Sequence, residues 1–148
     1  MPEAIALRGA IESLLAELAY RLDHGLADQA VALFTDEAVF ASPAVTLRGG
    51  AELAAGFQMR ARQTHVTRHL HSNLRVMAEG ADRASATVVL TVYRADGPDR
   101  GAPRPFLVAD CQDVYQRGAD GHWRFAARTI TPVFVAQPRP TATPEGVR

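Results

Sequence analysis

The sequence predicts one α+β domain in which helices come first and a mostly antiparallel sheet follows. Two observations indicate this class. In the first half of the chain, apolar residues recur at spacings of three and four, whereas the second half holds four long segments rich in β-branched and aromatic residues. Helices followed by a run of strands are typical of the α+β class. The length of 148 residues and the hydrophobic fraction of 47% suit a single domain with its own core.

The first helix is predicted over residues 5–23. Its apolar residues form one stripe along the helix, as expected when a single face is buried. Gly25 follows as a natural stop. The stripe consists of Leu7, Ile11, Leu14, Leu15, Leu18 and Leu22.

Short elements follow this helix. A second helix is predicted over residues 27–34 and a third over residues 51–63, after Gly49-Gly50 interrupts the chain. Two short strands are predicted between them, at residues 38–41 and 45–47.

Four long strands are predicted at residues 66–77, 84–94, 105–117 and 123–135, separated by turn sequences that contain glycine. Three helices cannot cover both faces of such a sheet. If the sheet curves strongly, the helices pack on its concave face and leave a cone-shaped half-barrel. The outer face is apolar with either strand parity, which predicts a homodimer. The domain should span residues 1–136, with a proline-rich tail at 137–148 lying disordered or draped outside it.

Composition excludes several classes of function. Sixteen basic and sixteen acidic residues cancel, so the chain lacks the basic excess of proteins that bind nucleic acid or acidic membranes. All sixteen basic residues are arginine, which excludes Schiff-base chemistry on lysine. Cys111 is the only cysteine, so no internal disulfide can form. With no signal peptide or membrane span visible at the sequence level, we expect a cytoplasmic protein.

Four local motifs resemble those of the SnoaL-like and nuclear transport factor 2-like families. They lie within a match that covers roughly residues 5–135. The resemblance implies the cone-shaped fold, which hosts polyketide cyclases, dehydratases, steroid isomerases, dioxygenase small subunits and non-enzymatic binders. The motifs are Tyr20 to Gly25 with Ala32 to Phe40, Leu47-Arg48-Gly49-Gly50-Ala51, Arg68 to Val76, and Asp113-Val114-Tyr115 with Gly121 to Arg128.

Enzymes of this kind use acid–base groups in a dry pocket. The resemblance places His69 where scytalone-dehydratase-like members keep a pocket histidine, and His71 shares its strand parity. The non-catalytic alternative is that one histidine ring forms a hydrogen bond with a backbone carbonyl and the other is exposed to solvent.

Tyr20 and Asp23 are neighbours on the surface of the first helix, from which dehydratase-like members reach the pocket. Aligned through Leu22-Asp23-His24-Gly25, Tyr20 stands where scytalone-type members carry aspartate. The candidate catalytic residues are therefore His69, Tyr20 and Asp23. The alternatives are a structural hydrogen bond at the helix end for Asp23 and plain core packing for Tyr20.

Parity on the third long strand leaves two possibilities: either Cys111 faces the pocket or Asp110 does, as a buried base. The family resemblance favours Cys111, which we expect to be inert packing. Parity on the last strand, where Trp123 and Phe125 must be core, places Arg128 on the outer face. The predicted pocket-lining residues are His71, Cys111, Phe40, Phe57, Leu18 and Trp123.

Neither a metal nor a cofactor is predicted. His65 and His69 have helical spacing but straddle a helix–strand break and lack the glutamate of a zinc-protease motif. The leading hypothesis is a small-molecule lyase, isomerase or cyclase acting on a hydrophobic, carbonyl-bearing substrate such as a polyketide or aromatic intermediate. The alternative is a non-catalytic ligand-binding or accessory subunit that resembles the dioxygenase small subunit.

Overall fold

The computed structural model describes residues 1–98, 100–101 and 104–136. The predicted tail at 137–148 lies outside these residues. The elements are, in chain order, α1 (Pro2–Asp23), a 3₁₀ helix (Ala27–Leu33), β1 (Phe34–Ala41), β2 (Thr46–Arg48), α2 (Gly49–Ala61), β3 (Val66–Ala78), β4 (Arg83–Ala95), β5 (Leu107–Arg117) and β6 (Trp123–Val135).

The six strands form one mixed sheet in the order β2-β1-β6-β5-β4-β3. Only the β1–β6 pair is parallel among the described strands, and every other neighbouring pair is antiparallel. The three helices pack against this open sheet, so the predicted α+β half-barrel is confirmed. The first short strand begins four residues earlier than expected, because Phe34 already pairs with Phe125 of β6.

The end of α1 turns the chain toward the sheet. Gly25 adopts a left-handed φ of 75°, a conformation that glycine adopts without steric cost. This allows the amide of Leu26 to donate to the carbonyl of Arg21 at 2.9 Å. Asp23, the last residue of α1, lies beside β3, on which the helix packs.

The core lies between the helices and the concave face of the sheet. Every second residue of β4 is buried, as expected for a strand with one face on the core. The large buried residues of the cluster include Ile11 and Leu18 of α1, Phe57 of α2 and Phe125 of β6. Among the described helices, none combines the length and apolar character that crossing a bilayer requires.

Bulges bend two of the long strands, β3 and β6. On β3, the register shifts between Ser72 and Arg75, where Asn73 takes a positive φ of 54°. Asparagine is one of the few residues other than glycine that tolerates this region. β6 carries one extra residue relative to β5 at two places, Ala126 and Val133. Each bulge increases the local twist and bend of the sheet, which helps it to curve around a cavity.

Candidate active site

A cavity of about 760 Å³ lies between α1, α2 and the concave face of the sheet. Most of its wall is apolar, and among the polar residues that face it Arg128 is buried, whereas Glu52 and Gln63 are exposed. The apolar wall includes Leu18, Leu22, Phe40, Val45, Leu47, Phe57, Met59, Leu90 and Ile130. The polar lining residues are Glu52, Arg60, Gln63, His69, His71 and Arg128.

His69 and Asp23 meet at the wall of this cavity. The Nδ1 atom of His69 lies 2.6 Å from Asp23 Oδ1, and the backbone amide of His69 donates to Asp23 Oδ2 at 2.9 Å. The side chain of Asp23 is 5% exposed and that of His69 is 16% exposed. The carboxylate is thus held behind the imidazole, and the ring lies between it and the cavity.

Two further side chains hold the carboxylate in place. Thr67 donates its hydroxyl hydrogen to Asp23 Oδ1 at 2.9 Å, and it accepts a hydrogen bond of 2.9 Å from Arg60. Burial acts to raise the pKa of Asp23. The hydrogen bonds from the ring and backbone of His69, with a smaller one from Thr67, outweigh it and lower that pKa. Asp23 is therefore an anion that accepts from Nδ1 of His69, and Nε2 is the nitrogen left for chemistry.

A second polar cluster lies deeper, on β5 and β6. Arg128 makes a bidentate ion pair with Asp113, at 2.8 Å from Nε and 2.7 Å from Nη2, and Tyr115 donates to Asp113 at 2.6 Å. Arg128 also donates from Nη1 to Nε2 of His71 at 3.0 Å. Burial and the nearby guanidinium of Arg128 lower the pKa of His71 to about 3.

The inward position of Arg128 corrects the sequence prediction, which placed it on the outer face. Tyr115 pairs with Phe125, but Val114 pairs with Ala127, so β6 carries one extra residue at Ala126. This bulge reverses the alternation of side chains between Phe125 and Arg128. Both residues consequently face inward, and Arg128 is almost fully buried.

Tyr20 does not line the main cavity. Its side chain is 53% exposed and stacks on the ring of His24, with centroids 4.3 Å apart. Two residues correspond to about 200° around a helix, so Tyr20 points away from Leu18 and Leu22, which do line the cavity. It lines a separate groove between α1 and β3, which Asp23, His69 and His71 also line, and its exposure excludes plain core packing.

Cys111 and Trp123 are not lining residues either. Cys111 faces inward and is fully buried, whereas Asp110 is exposed. Its side chain is short, and Leu90 and Ile130 from the two flanking strands reach the cavity instead. Burial raises the pKa of the Cys111 thiol to about 11. Trp123 begins β6 and lines a separate groove that shares no lining residue with the cavity.

The other predicted lining residues, His71, Phe40, Phe57 and Leu18, do line the cavity, and His69 joins them. Sequence reasoning missed Arg60, Thr67 and the role of Asp113. Thr67 shares the parity of His69, which was a usable signal. In the described part of the chain, no three His, Cys, Asp or Glu side chains gather as a metal site.

Comparisons with known proteins place this geometry in a family. The model of the SnoaL-like domain matches residues 3–129. No curated protein matches the chain.

Solved structures share the fold at low sequence identity. A candidate scytalone dehydratase from Novosphingobium aromaticivorans is 20% identical, with a TM-score of 0.78 over 90% of this chain and 89% of that one. ActVI-ORFA from Streptomyces coelicolor is 22% identical, with a TM-score of 0.75 over 86% and 98%. The β subunit of a candidate aromatic-ring-hydroxylating dioxygenase from N. aromaticivorans is 19% identical, with a TM-score of 0.79 over 90% and 93%. At such identities the likeness to these structures shows the fold alone. The model of the SnoaL-like domain matches most of the sequence, and the chain therefore belongs to the SnoaL-like domain family.

Proposed function

We propose that the protein is a small-molecule lyase, isomerase or cyclase that uses cofactor-independent acid–base chemistry on a hydrophobic, carbonyl-bearing substrate. A polyketide or aromatic intermediate fits an apolar cavity of this volume. The observation that carries the proposal is the contact of 2.6 Å between His69 and Asp23 at the cavity wall. Likeness to a candidate scytalone dehydratase supports a reaction of the lyase type.

His69 is the proposed general base. Because Nδ1 donates to Asp23, Nε2 keeps its lone pair and can take a proton from carbon next to a carbonyl. The carboxylate of Asp23 then stabilises the imidazolium that forms, as in other carboxylate–histidine pairs. The imidazolium returns the proton at a second carbon or to a leaving hydroxyl, which gives isomerisation or dehydration without a cofactor.

Proton abstraction can be measured directly, without knowing the natural substrate. The protein is incubated in D2O with enolisable aromatic ketones such as 2-tetralone, and NMR follows deuterium incorporation next to the carbonyl. General acid–base catalysis contributes ~10²–10⁴-fold, so His69→Ala should lose exchange by that factor. His122→Ala, which changes an exposed histidine far from the cavity, is the matched control and should keep full exchange.

Melting temperatures of both variants show whether the fold is intact. A folded His69→Ala protein that exchanges deuterium as fast as the wild type would place the chemistry elsewhere. Asp23→Asn should give an intermediate loss, since the ring stays in the cavity wall without the charge that stabilises its protonated form.

The second candidate function is a non-catalytic ligand-binding or accessory subunit. Likeness to a dioxygenase β subunit favours it, as does the absence of Tyr20 from the cavity, which leaves two of the three predicted catalytic side chains at the site. A protein that binds aromatic ketones but exchanges no deuterium, in the wild type as in His69→Ala, would support this alternative.

The proposed assembly is a homodimer in the cytoplasm. The outer face of the sheet carries half-buried Val89 and Val114 and the exposed Leu70, an apolar area suited to a second copy. The single buried cysteine fits a reducing compartment. Light scattering should give twice the 16.0 kDa chain mass at micromolar concentration, and a monomer mass would contradict the dimer.

A further inference from the structure

Two histidines of β3, His69 and His71, line the same cavity but are held by partners of opposite chemistry. His69 contacts a carboxylate, which only accepts hydrogen bonds when ionised. His71 contacts a guanidinium, which only donates them. The two rings therefore offer different groups to whatever binds in the cavity.

The partner of His71 determines where its ring hydrogen lies. Arg128 Nη1 is 3.0 Å from His71 Nε2, and a guanidinium has no lone pair to offer. Nε2 must then be the acceptor, and the ring hydrogen must be on Nδ1. Arg128 cannot turn away, because Asp113 holds its Nε and Nη2 at 2.8 and 2.7 Å.

The Nδ1 atom of His71 has no hydrogen-bond partner among the described residues. The same residues contain no sealed side-chain nitrogen or oxygen that lacks a partner, so this N–H is not sealed, and His71 lines both the main cavity and the groove between α1 and β3. The charged and titratable groups that act on the ring are Arg128, His69 and Asp23, and of these only Asp23 favours its protonation. The ring accordingly stays neutral, and its N–H is a neutral donor.

We propose that His71 binds the oxygen of the ligand by donating a hydrogen bond from Nδ1, with Arg128 as the positioning residue that fixes this tautomer. The inference rests on the proposed function and assigns a second side chain, beside His69, to the proposed reaction. When Nε2 of His69 takes a proton from carbon, the C–H electron pair becomes the C=C bond of an enolate and negative charge moves to oxygen. His71 stabilises that oxygen, while His69 carries the proton.

NMR tests the tautomer in the ligand-free protein. Long-range ¹H–¹⁵N spectra of ¹⁵N-labelled protein, assigned with the His71→Asn variant, should show hydrogen on Nδ1 and a bare Nε2 from pH 5 to pH 8. A signal with hydrogen on Nε2, or a ring that becomes doubly protonated in this range, would overturn the inference.

Two variants separate the nitrogens of His71. An asparagine amide reaches roughly the position of Nδ1 and can donate there, whereas a glutamine amide reaches that of Nε2 and can accept from Arg128. With 4-nitrophenol as the probe, titrated by absorbance, His71→Gln should bind about tenfold more weakly than the wild type, the size of one lost hydrogen bond to oxygen. His71→Asn should bind within about threefold of the wild type, since a donor near Nδ1 is kept.

Equal loss in both variants, unchanged binding by His71→Gln, or no binding by the wild type would each contradict the donor role. Neither experiment uses turnover. If His69→Ala keeps full deuterium exchange while the NMR and binding results hold, the proposed base fails and the role of His71 stands. If NMR shows hydrogen on Nε2 of His71 while deuterium exchange depends on His69, the role of His71 fails and the proposed base stands.

Discussion

Two hydrogen-bonded pairs beside the cavity, His69–Asp23 and Arg128–Asp113, share an aspartate carboxylate as acceptor but have different surroundings. The His69–Asp23 pair joins the end of α1 to β3. The side chain of His69 is 16% exposed and that of Asp23 is 5% exposed. The Arg128–Asp113 pair joins β5 to β6, and its side chains are 2% and 0% exposed. A pair that touches the cavity through a titratable ring can exchange protons, whereas a sealed pair can only hold its neighbours in place.

The difference has an energetic consequence. Two charges buried together gain little over an apolar replacement, but a single charge left behind in the interior is very costly. The His69–Asp23 pair at the cavity wall is less sensitive to the loss of one member, because the member that remains can become neutral.

Asp113→Asn should be the most damaging change. It leaves Arg128 buried without its counter-ion and should lower the free energy of unfolding by about 3–5 kcal/mol. Chemical denaturation followed by circular dichroism measures this loss. A loss under about 1 kcal/mol would show that the pair is not sealed as the structure has it.

Acid should destabilise the fold through His71. Its pKa is lowered to about 3 in the folded state, so below the unfolded value of 6.5 the unfolded chain binds a proton that the folded protein does not. Stability is therefore complete above pH 6.5 and declines as the pH falls from there toward 3. Between pH 7 and pH 5 the loss from this group should be about 2 kcal/mol, at about 1.4 kcal/mol for each pH unit. His71→Gln should remove that part of the pH dependence, and identical slopes for variant and wild type would refute it.

Asp23→Asn should cost less, about 1.5 kcal/mol at pH 7, the size of a hydrogen bond to a charged group. The carboxylate has a lowered pKa in the folded state, so its contribution is present above the unfolded value of 3.8 and is lost as the pH falls through the folded one. Denaturation curves at pH 7 and in acid should show the gap between variant and wild type closing. A gap that persists in acid would point to packing instead of charge.

Asp82→Asn supplies the reference for a surface pair. Asp82 contacts Arg117 at 2.8 Å, but the two side chains are 66% and 41% exposed. Solvent screens such a pair, and the change should stay within about 0.5 kcal/mol in the same denaturation assay. A larger effect would contradict the conclusion that burial determines how much each pair contributes to the free energy of unfolding.

The sequence predicted every element of the described fold within a few residues. Long segments with a clear apolar period, such as the stripe of α1 and the alternation of β4, can be predicted from sequence. The polarity of each residue there indicates whether it is buried or exposed. The family resemblance places His69 beside the cavity, and shared strand parity places His71 on the same side. Tyr20 and Asp23 are neighbours on the surface of α1 and line the same groove between α1 and β3, but of the two only Asp23 contacts His69 at the wall of the main cavity.

What the sequence by itself determined is local: the helices, the strands, the apolar faces and the family. What only the tertiary structure decided is which polar groups meet. Arg128 faces inward because one extra residue at Ala126 reverses the strand, and nothing in the residues from Phe125 to Arg128 marks that bulge. Asp23 and His69 are 46 positions apart, and their contact depends on where α1 ends against β3. Register and helix docking are set by the whole packed core, so short-range patterns cannot encode them.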